Sequence, residues 1–343
     1  MPTTYAIPDG RTVMAATTYT GTGSSLAVSN AVNGVSFQPD LVWIKARSNA
    51  YNHELYDSVR GVQKRLLSNL TNAESTSTLA LTAFNSNGFT QGGETETGAN
   101  GATYVAWNWK AGTTSASNTN GTITSTVSVG ATQGFSVATY TGNGSSATIG
   151  HGLGVAPSMY IVKRRDGASN WSTWHIGLSG GTYYVSLDST AAQASNTVVF
   201  PGATPTSTVF SVGTSICGNG STYVAYAFAA VAGYSAFGSY TGNGSADGPF
   251  VYTGFRPRYV LTKRTNSTGG WVILDSSRDT YNVSGNILQA ESADAELSAS
   301  SYPTLDILSN GFKIRSSTIQ NASGGIYIYA CFAENPFKYA NAR

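Results

Sequence analysis

Tyr140-Thr141-Gly142-Asn143-Gly144 is followed by Pro157, the apolar run Ser158-Met159-Tyr160-Ile161-Val162 and Lys163, and this order occurs three times in the chain. The first copy has Tyr19-Thr20-Gly21-Thr22-Gly23, then Pro39, Asp40-Leu41-Val42-Trp43-Ile44 and Lys45. The third has Tyr240-Thr241-Gly242-Asn243-Gly244, then Pro257, Arg258-Tyr259-Val260-Leu261-Thr262 and Lys263. Lysine stands six residues after proline in every copy. The run between them is rich in β-branched and aromatic residues, which predicts a buried strand.

Each copy ends on a second such run, Tyr104-Val105-Ala106-Trp107-Asn108-Trp109, Tyr223-Val224-Ala225-Tyr226-Ala227-Phe228 and Tyr327-Ile328-Tyr329-Ala330-Cys331-Phe332. A glycine precedes each by three residues, at Gly101, Gly220 and Gly324, and the opening and closing tyrosines lie 85, 83 and 87 residues apart. A fixed period of this kind marks an internal repeat. Val59, Val62, Leu66 and Leu70 have helical spacing on their own, but the matching stretches, Gly180 to Leu187 and Ser284 to Gln289, carry glycines and β-branched or aromatic residues, so strand is expected in all three. Asn33-Gly34, Asn87-Gly88, Asn143-Gly144, Asn219-Gly220, Asn243-Gly244 and Asn310-Gly311 supply tight-turn chemistry.

The pattern therefore predicts an all-β protein of three tandem antiparallel β-sandwich modules, with little or no helix. The boundaries are an N-terminal segment and possible anchor at 1–18, repeats at 19–112, 135–231 and 232–343, and a Ser/Thr/Gly-rich stretch at 113–134. In that stretch Ile123, Ser125, Val127 and Val129 alternate, so it is either a free linker or an added edge strand.

Charged residues make up only 10% of the 343 and the net charge is +2, which supplies no basic stripe to track phosphates, so nucleic acid is not expected as a partner. With 41% hydrophobic residues and 20 tyrosines the chain has enough to bury and is expected to fold. No apolar stretch reaches the ~18 residues of a membrane span and the start has no signal-peptide pattern, so membrane insertion is not expected and the protein is expected to stay soluble inside the producing cell. Cys217 and Cys331 fall at different places in their repeats and read as free, partly buried thiols.

The Tyr-Thr-Gly-Asn-Gly openings, Gly152-Leu153-Gly154-Val155-Ala156-Pro157, Asp57-Ser58-Val59-Arg60-Gly61 and the ending Ala102 to Gly112 resemble repeat proteins of tailed bacteriophages, as does Phe332-Ala333-Glu334-Asn335-Pro336-Phe337-Lys338-Tyr339. The resemblance covers nearly the whole chain. It implies sandwich modules of the jelly-roll, laminin-G-like or concanavalin-like kind in an exposed virion protein, commonly a tail fibre or receptor-binding component, with other virion proteins and a host-surface glycan or protein as partners. For a fibre-like component it implies a homo-oligomer, a trimer in first place. A capsid decoration or head-fibre protein without receptor binding is the alternative, because only some eighteen residues precede the first repeat.

No catalytic residue, cofactor or metal ligand set is expected. Glu291, Asp294 and Glu296 form the densest acidic group and read as an exposed turn; Asp57 and Asp275 recur before serines and read as turn caps. His53, His151 and His175 fit no metal spacing. The Gly-rich opening lacks the lysine and helix of a phosphate loop and reads as a hairpin. Aromatic side chains remain as the ligand-facing supply, because exposed rings concentrate adhesion energy. Trp171, Trp174, Tyr183, Tyr184 and Trp271 are the candidate receptor-binding residues, and alternation of aromatics into sandwich cores is the competing account of each. The recurring lysines are expected to snorkel to solvent at strand ends.

Overall fold

The computed structural model describes residues 5–336. Strands hold 43% of the residues and helix 3%, so the protein is all-β, and every ladder between its strands is antiparallel. In each repeat the opening strand (Met14–Thr20, Phe135–Thr141, Ser235–Thr241) pairs with the closing strand (Thr103–Trp109, Thr222–Phe228, Ile326–Pro336). On its other side the closing strand pairs with the strand between proline and lysine (Leu41–Ala46, Met159–Arg164, Phe255–Arg264). A smaller sheet of two or three strands completes each repeat.

The opening and closing tyrosines are direct cross-strand partners and their rings stack at 5.1, 5.0 and 5.1 Å in the three copies. The Tyr-Thr-Gly-Asn-Gly segment is not a hairpin, contrary to the expectation. The strand before it lies in the larger sheet and the strand after it in the smaller one, so the segment is a corner between sheets. Gly142 lets that corner dock, since a Cβ there would sit 2.4 Å from the Gly218 carbonyl oxygen, and Gly144 takes a φ of 82°, which favours glycine. The 113–134 stretch adds strands Ala116–Asn118 and Ser125–Gly130 to the edge of the second large sheet, the edge-strand alternative.

The closing strands show how the repeats meet. Side chains alternate between faces along a strand. Tyr104 and Ala106 point into a core shared with the smaller sheet of the first repeat, whereas Val105, Trp107 and Trp109 enter a core common to all three repeats. The second copy divides in the same way, with Tyr223, Ala225 and Ala227 on one face and Val224, Tyr226 and Phe228 on the other. Trp109, Phe228 and Phe332, equivalent by sequence, touch pairwise, with ring centroids 6.1, 5.6 and 5.6 Å apart. Leu41, Met159 and Tyr259 surround the same point, leaving a void of only about 20 Å³. The three larger sheets therefore turn one face each toward a pseudo-threefold axis.

Residues 5–18 belong to this body. The strand from Met14 takes up the last five residues of the segment expected as an anchor; Gly10 lies against the Ala333 carbonyl and Tyr5 against Gly233 of the third repeat. Cys217 and Cys331 are free and fully buried. Because the shared core ties the repeats together, calorimetry of the full chain should give one unfolding transition. Two or three separated transitions would show that the repeats fold independently.

Candidate functional site

The three joints between repeats hold buried lysines, ion pairs and a histidine. Lys45, Lys163 and Lys263 are fully buried and do not snorkel, which corrects the sequence expectation. Each ammonium donates to backbone carbonyls of its own repeat and of another: Lys163 Nζ to Thr71 (2.8 Å) in the first, Lys263 Nζ to Ala191 (2.7 Å) in the second, and Lys45 Nζ to Ala293 (3.0 Å) in the third. The three contacts run in one direction and close a ring. Burial pulls each lysine down to about 8, with nearby carboxylates of Asp294, Asp188 and Glu291 opposing the shift.

Twelve and fifteen residues after each lysine lie Asp57 and Arg60, His175 and Leu178, and Asp275 and Arg278. The two aspartates cap turns, as expected, by accepting from the backbone N–H of their arginines. They also ion-pair with those arginines at 2.5 and 2.6 Å and accept from the next repeat, Asp57 from Tyr226 Oη (2.8 Å) and Asp275 from Trp107 Nε1 (3.0 Å). Glu74 joins Arg60 to Arg165 across the first joint, and Glu296 joins Arg278 to Arg47 across the third, so Glu296 is no exposed turn residue.

The joint between the second and third repeats keeps the same backbone and drops every one of these charges. Gln193 N donates to the Thr265 carbonyl at 2.8 Å, where Glu74 N donates to Arg165 and Glu296 N to Arg47. His175 stands in the aspartate position, its Nε2 donating to the Tyr329 carbonyl at 3.0 Å, and its Nδ1 accepts from Gly177 N, which fixes a neutral ring. Burial lowers its pKa to about 4.

The predicted receptor residues fall into two groups. Trp171 and Trp271 are buried in the joints, donating through Nε1 to the Leu67 carbonyl of the first repeat and the Ser186 carbonyl of the second, 2.9 Å each. A ring so enclosed has no face for a receptor, and both assignments are corrected. Trp174 is buried too, 5.5 Å from Tyr160 in a stacked pair, with an edge on a cleft beside Pro157, Ile176 and Pro205. Tyr183 is half-buried and packs on the common core, whereas half-buried Tyr184 lines a surface cleft of about 290 Å³.

That cleft has a counterpart on each repeat, at the corner where the loop after the lysine meets the turn before the closing strand. In the first repeat the corner is plugged. Arg65 Nη1 bonds the carboxylates of Glu54, Glu94 and Glu96, and Asn52 Nδ2 closes on Glu96 Oε1 at 2.5 Å. Burial and the neighbouring Glu94 push the Glu54 carboxyl well up. This acidic cluster escaped the sequence reading because its members lie up to 42 positions apart, and the guanidinium occupies its centre. In the third repeat the corner is a cleft of about 200 Å³ lined by Val272, Gln289 and Gln320. In the second it holds Asn170, Ser172, Tyr184, Asn196 and Ser215.

Three antiparallel repeats joined through one shared core, with divergent surface corners, define the chain as an all-β internal-repeat protein. A single family model spans residues 10–336, a domain of unknown function designated DUF7483, and the chain belongs to that family. The match runs through all three repeats as one unit. No curated protein and no solved structure matches the chain.

Arg60→Leu alone leaves the buried Asp57 carboxylate without its counter-charge in the first joint and should cost about 3–5 kcal/mol in denaturant unfolding. Making Asp57→His, Glu74→Gln and Arg165→Thr together with it copies the neutral joint and should recover most of that loss; no recovery would refute the equivalence of the joints. The pH response has its own sign. His175 binds a proton in the unfolded chain near 6.5 and in the folded chain only near 4, so its contribution is lost as pH falls from 6.5 toward 4. Over that window thermal stability should fall more steeply in the native protein than in His175→Gln, and parallel profiles would refute the assignment.

Proposed function

We propose that this chain is an exposed, non-enzymatic structural protein of a tailed-bacteriophage virion, a tail-fibre or receptor-binding component that attaches to a host-surface glycan or protein. On this reading its repeats are three β-sandwich modules of the jelly-roll or laminin-G-like kind, and its partners are other virion proteins. The observation that carries the proposal is the combination of a closed, internally threefold body with equivalent outward corners that differ in chemistry. Shared positions build the scaffold, and variation is left to the surface. The resemblance of the repeated motifs to phage proteins supplies the location. A threefold body is what a homotrimer would provide, and here one chain supplies the symmetry to sit on a threefold axis; further association into a homotrimer belongs to the same proposal.

A capsid decoration or head-fibre role without receptor binding is the second reading. The burial of Trp171 and Trp271 favours it, since these rings were part of the case for adhesion. Gold-labelled antibody should place the protein on the outside of the particle, and the purified chain should compete with phage adsorption to susceptible cells. Tail labelling with competition supports the receptor-binding reading. Capsid labelling without competition transfers the proposal to decoration, and particles free of the protein would overturn both.

A further inference from the structure

We propose that the corner of the second repeat is a binding subsite for a neutral saccharide ring, with Tyr184 as its apolar wall and Ser172 and Asn170 as its polar contacts. The inference rests on the adhesive reading above and names the part of the surface that would perform it.

The three corners are related by the internal repeat. Position by position, Asn52, Asn170 and Gly270 correspond, as do Glu54, Ser172 and Val272, Arg65, Tyr184 and Ile287, and Glu96, Ser215 and Ile319; the pairings of Leu55 with Leu66, Thr173 with Val185 and Ile273 with Leu288 fix the register. The scaffold therefore does not dictate what stands there. In the first repeat these positions satisfy one another, Asn52 with Glu96 and Arg65 with Glu54, and nothing is left over. In the third, three of the four are aliphatic and one is glycine. The third cleft also has a tyrosine, threonines and glutamines in its lining but includes the charged Arg264, whereas the second combines its aromatic ring, hydroxyl and amide groups with no charged residue.

The polar groups of that cleft are also unspent. Ser172 is 5% exposed, yet its hydroxyl makes no hydrogen bond among the described residues and lines the cleft. The Asn170 amide and the Tyr184 hydroxyl likewise make none among them. These groups open onto the solvent of the cleft, so they are free to exchange water for a hydroxyl that arrives from outside. The neighbouring loop is held firmly, because Lys163 Nζ donates to the Ser169 carbonyl at 2.6 Å and Trp171 N donates to Asp188 Oδ1 at 2.9 Å, so the cleft is formed before a ligand arrives.

The chemistry of the lining selects the ligand. Ser, Asn, Tyr, Val and Ile side chains line it and none is charged, so a phosphate, carboxylate or ammonium would lose hydration without a counter-charge. Hydroxyl groups both donate and accept and match Ser172, Asn170 and Asn196 in either sense. The ring of Tyr184 suits the apolar face of a pyranose. At about 290 Å³ the cleft falls at the lower end of the ~300–1,000 Å³ typical of small-molecule sites, which fits a ring or a disaccharide and not a long chain.

The test is saturation-transfer NMR and titration of the purified full chain against glucose, galactose, mannose, N-acetylglucosamine and their common disaccharides, with sialic acid and glucose 6-phosphate as charged controls. At least one neutral sugar should bind, the charged ones should not, and Tyr184→Ala should weaken binding about tenfold or more. Ser172→Val, close in size and lacking the hydroxyl, should weaken binding several-fold while leaving the melting temperature near that of the native chain; Ile176→Ala, on a different cleft, should change nothing. Absence of neutral-sugar binding, or binding unaffected by Tyr184→Ala and Ser172→Val, overturns the subsite. Adsorption competition is read separately. Competition that survives both variants keeps the adhesive reading and removes this site from it, whereas sugar binding without competition keeps the site and removes the receptor role.

Discussion

The closing strand of each repeat is apolar on both faces, and both faces have to be covered. A two-layer repeat can cover only one, with its smaller sheet. The other, carrying Val105, Trp107 and Trp109 in the first copy, would face water if the repeat stood alone. Each large side chain removed from water contributes about 1.5–3 kcal/mol, and all three repeats present such side chains to the same axis. Contact among Trp109, Phe228 and Phe332 is thus the condition on which the rest of the architecture depends.

Apolar contact brings sheets together without fixing how they turn about one another. The buried polar groups do that. Each lysine ammonium completes its set of carbonyl acceptors in another repeat, and a buried donor left short of one is costly, which favours one hand and one register. The aspartate, arginine and glutamate network adds the same requirement at two joints. Its wholesale replacement by His175, Leu178, Gln193 and Thr265 at the other joint follows from the same cost, since removing one member of a buried ionic set leaves its partners stranded.

Much of the fold could be read locally. Opening and closing tyrosines and the strand between proline and lysine announce themselves through alternation, β-branched residues and glycine, whereas the alternation in the 113–134 stretch left linker and edge strand both open. Contacts between repeats were less accessible: Lys45 meets Ala293 across 248 positions, and no local pattern distinguishes that lysine from one reaching solvent. Trp171 and Trp271 misled for the same reason, their indole partners lying 85 or more positions away. One signal was available. Tyr104 to Trp109 lacks the polar alternation of a strand with one wet face, which already implies a second buried face. Of the candidate surface residues only Tyr184 opens onto a polar cleft, because exposure depends on which corner its neighbours leave unfilled.

The carboxylate and guanidinium plug in the first repeat has a further meaning when set beside its open counterpart. In an assembly of identical chains a codon change appears at every symmetric position at once, so a cleft cannot be opened in one place and kept shut in the others. A single chain with three separately encoded copies escapes that coupling. Two positions can preserve stability while the third drifts, and the molecule can change what it holds without reopening the question of how it folds.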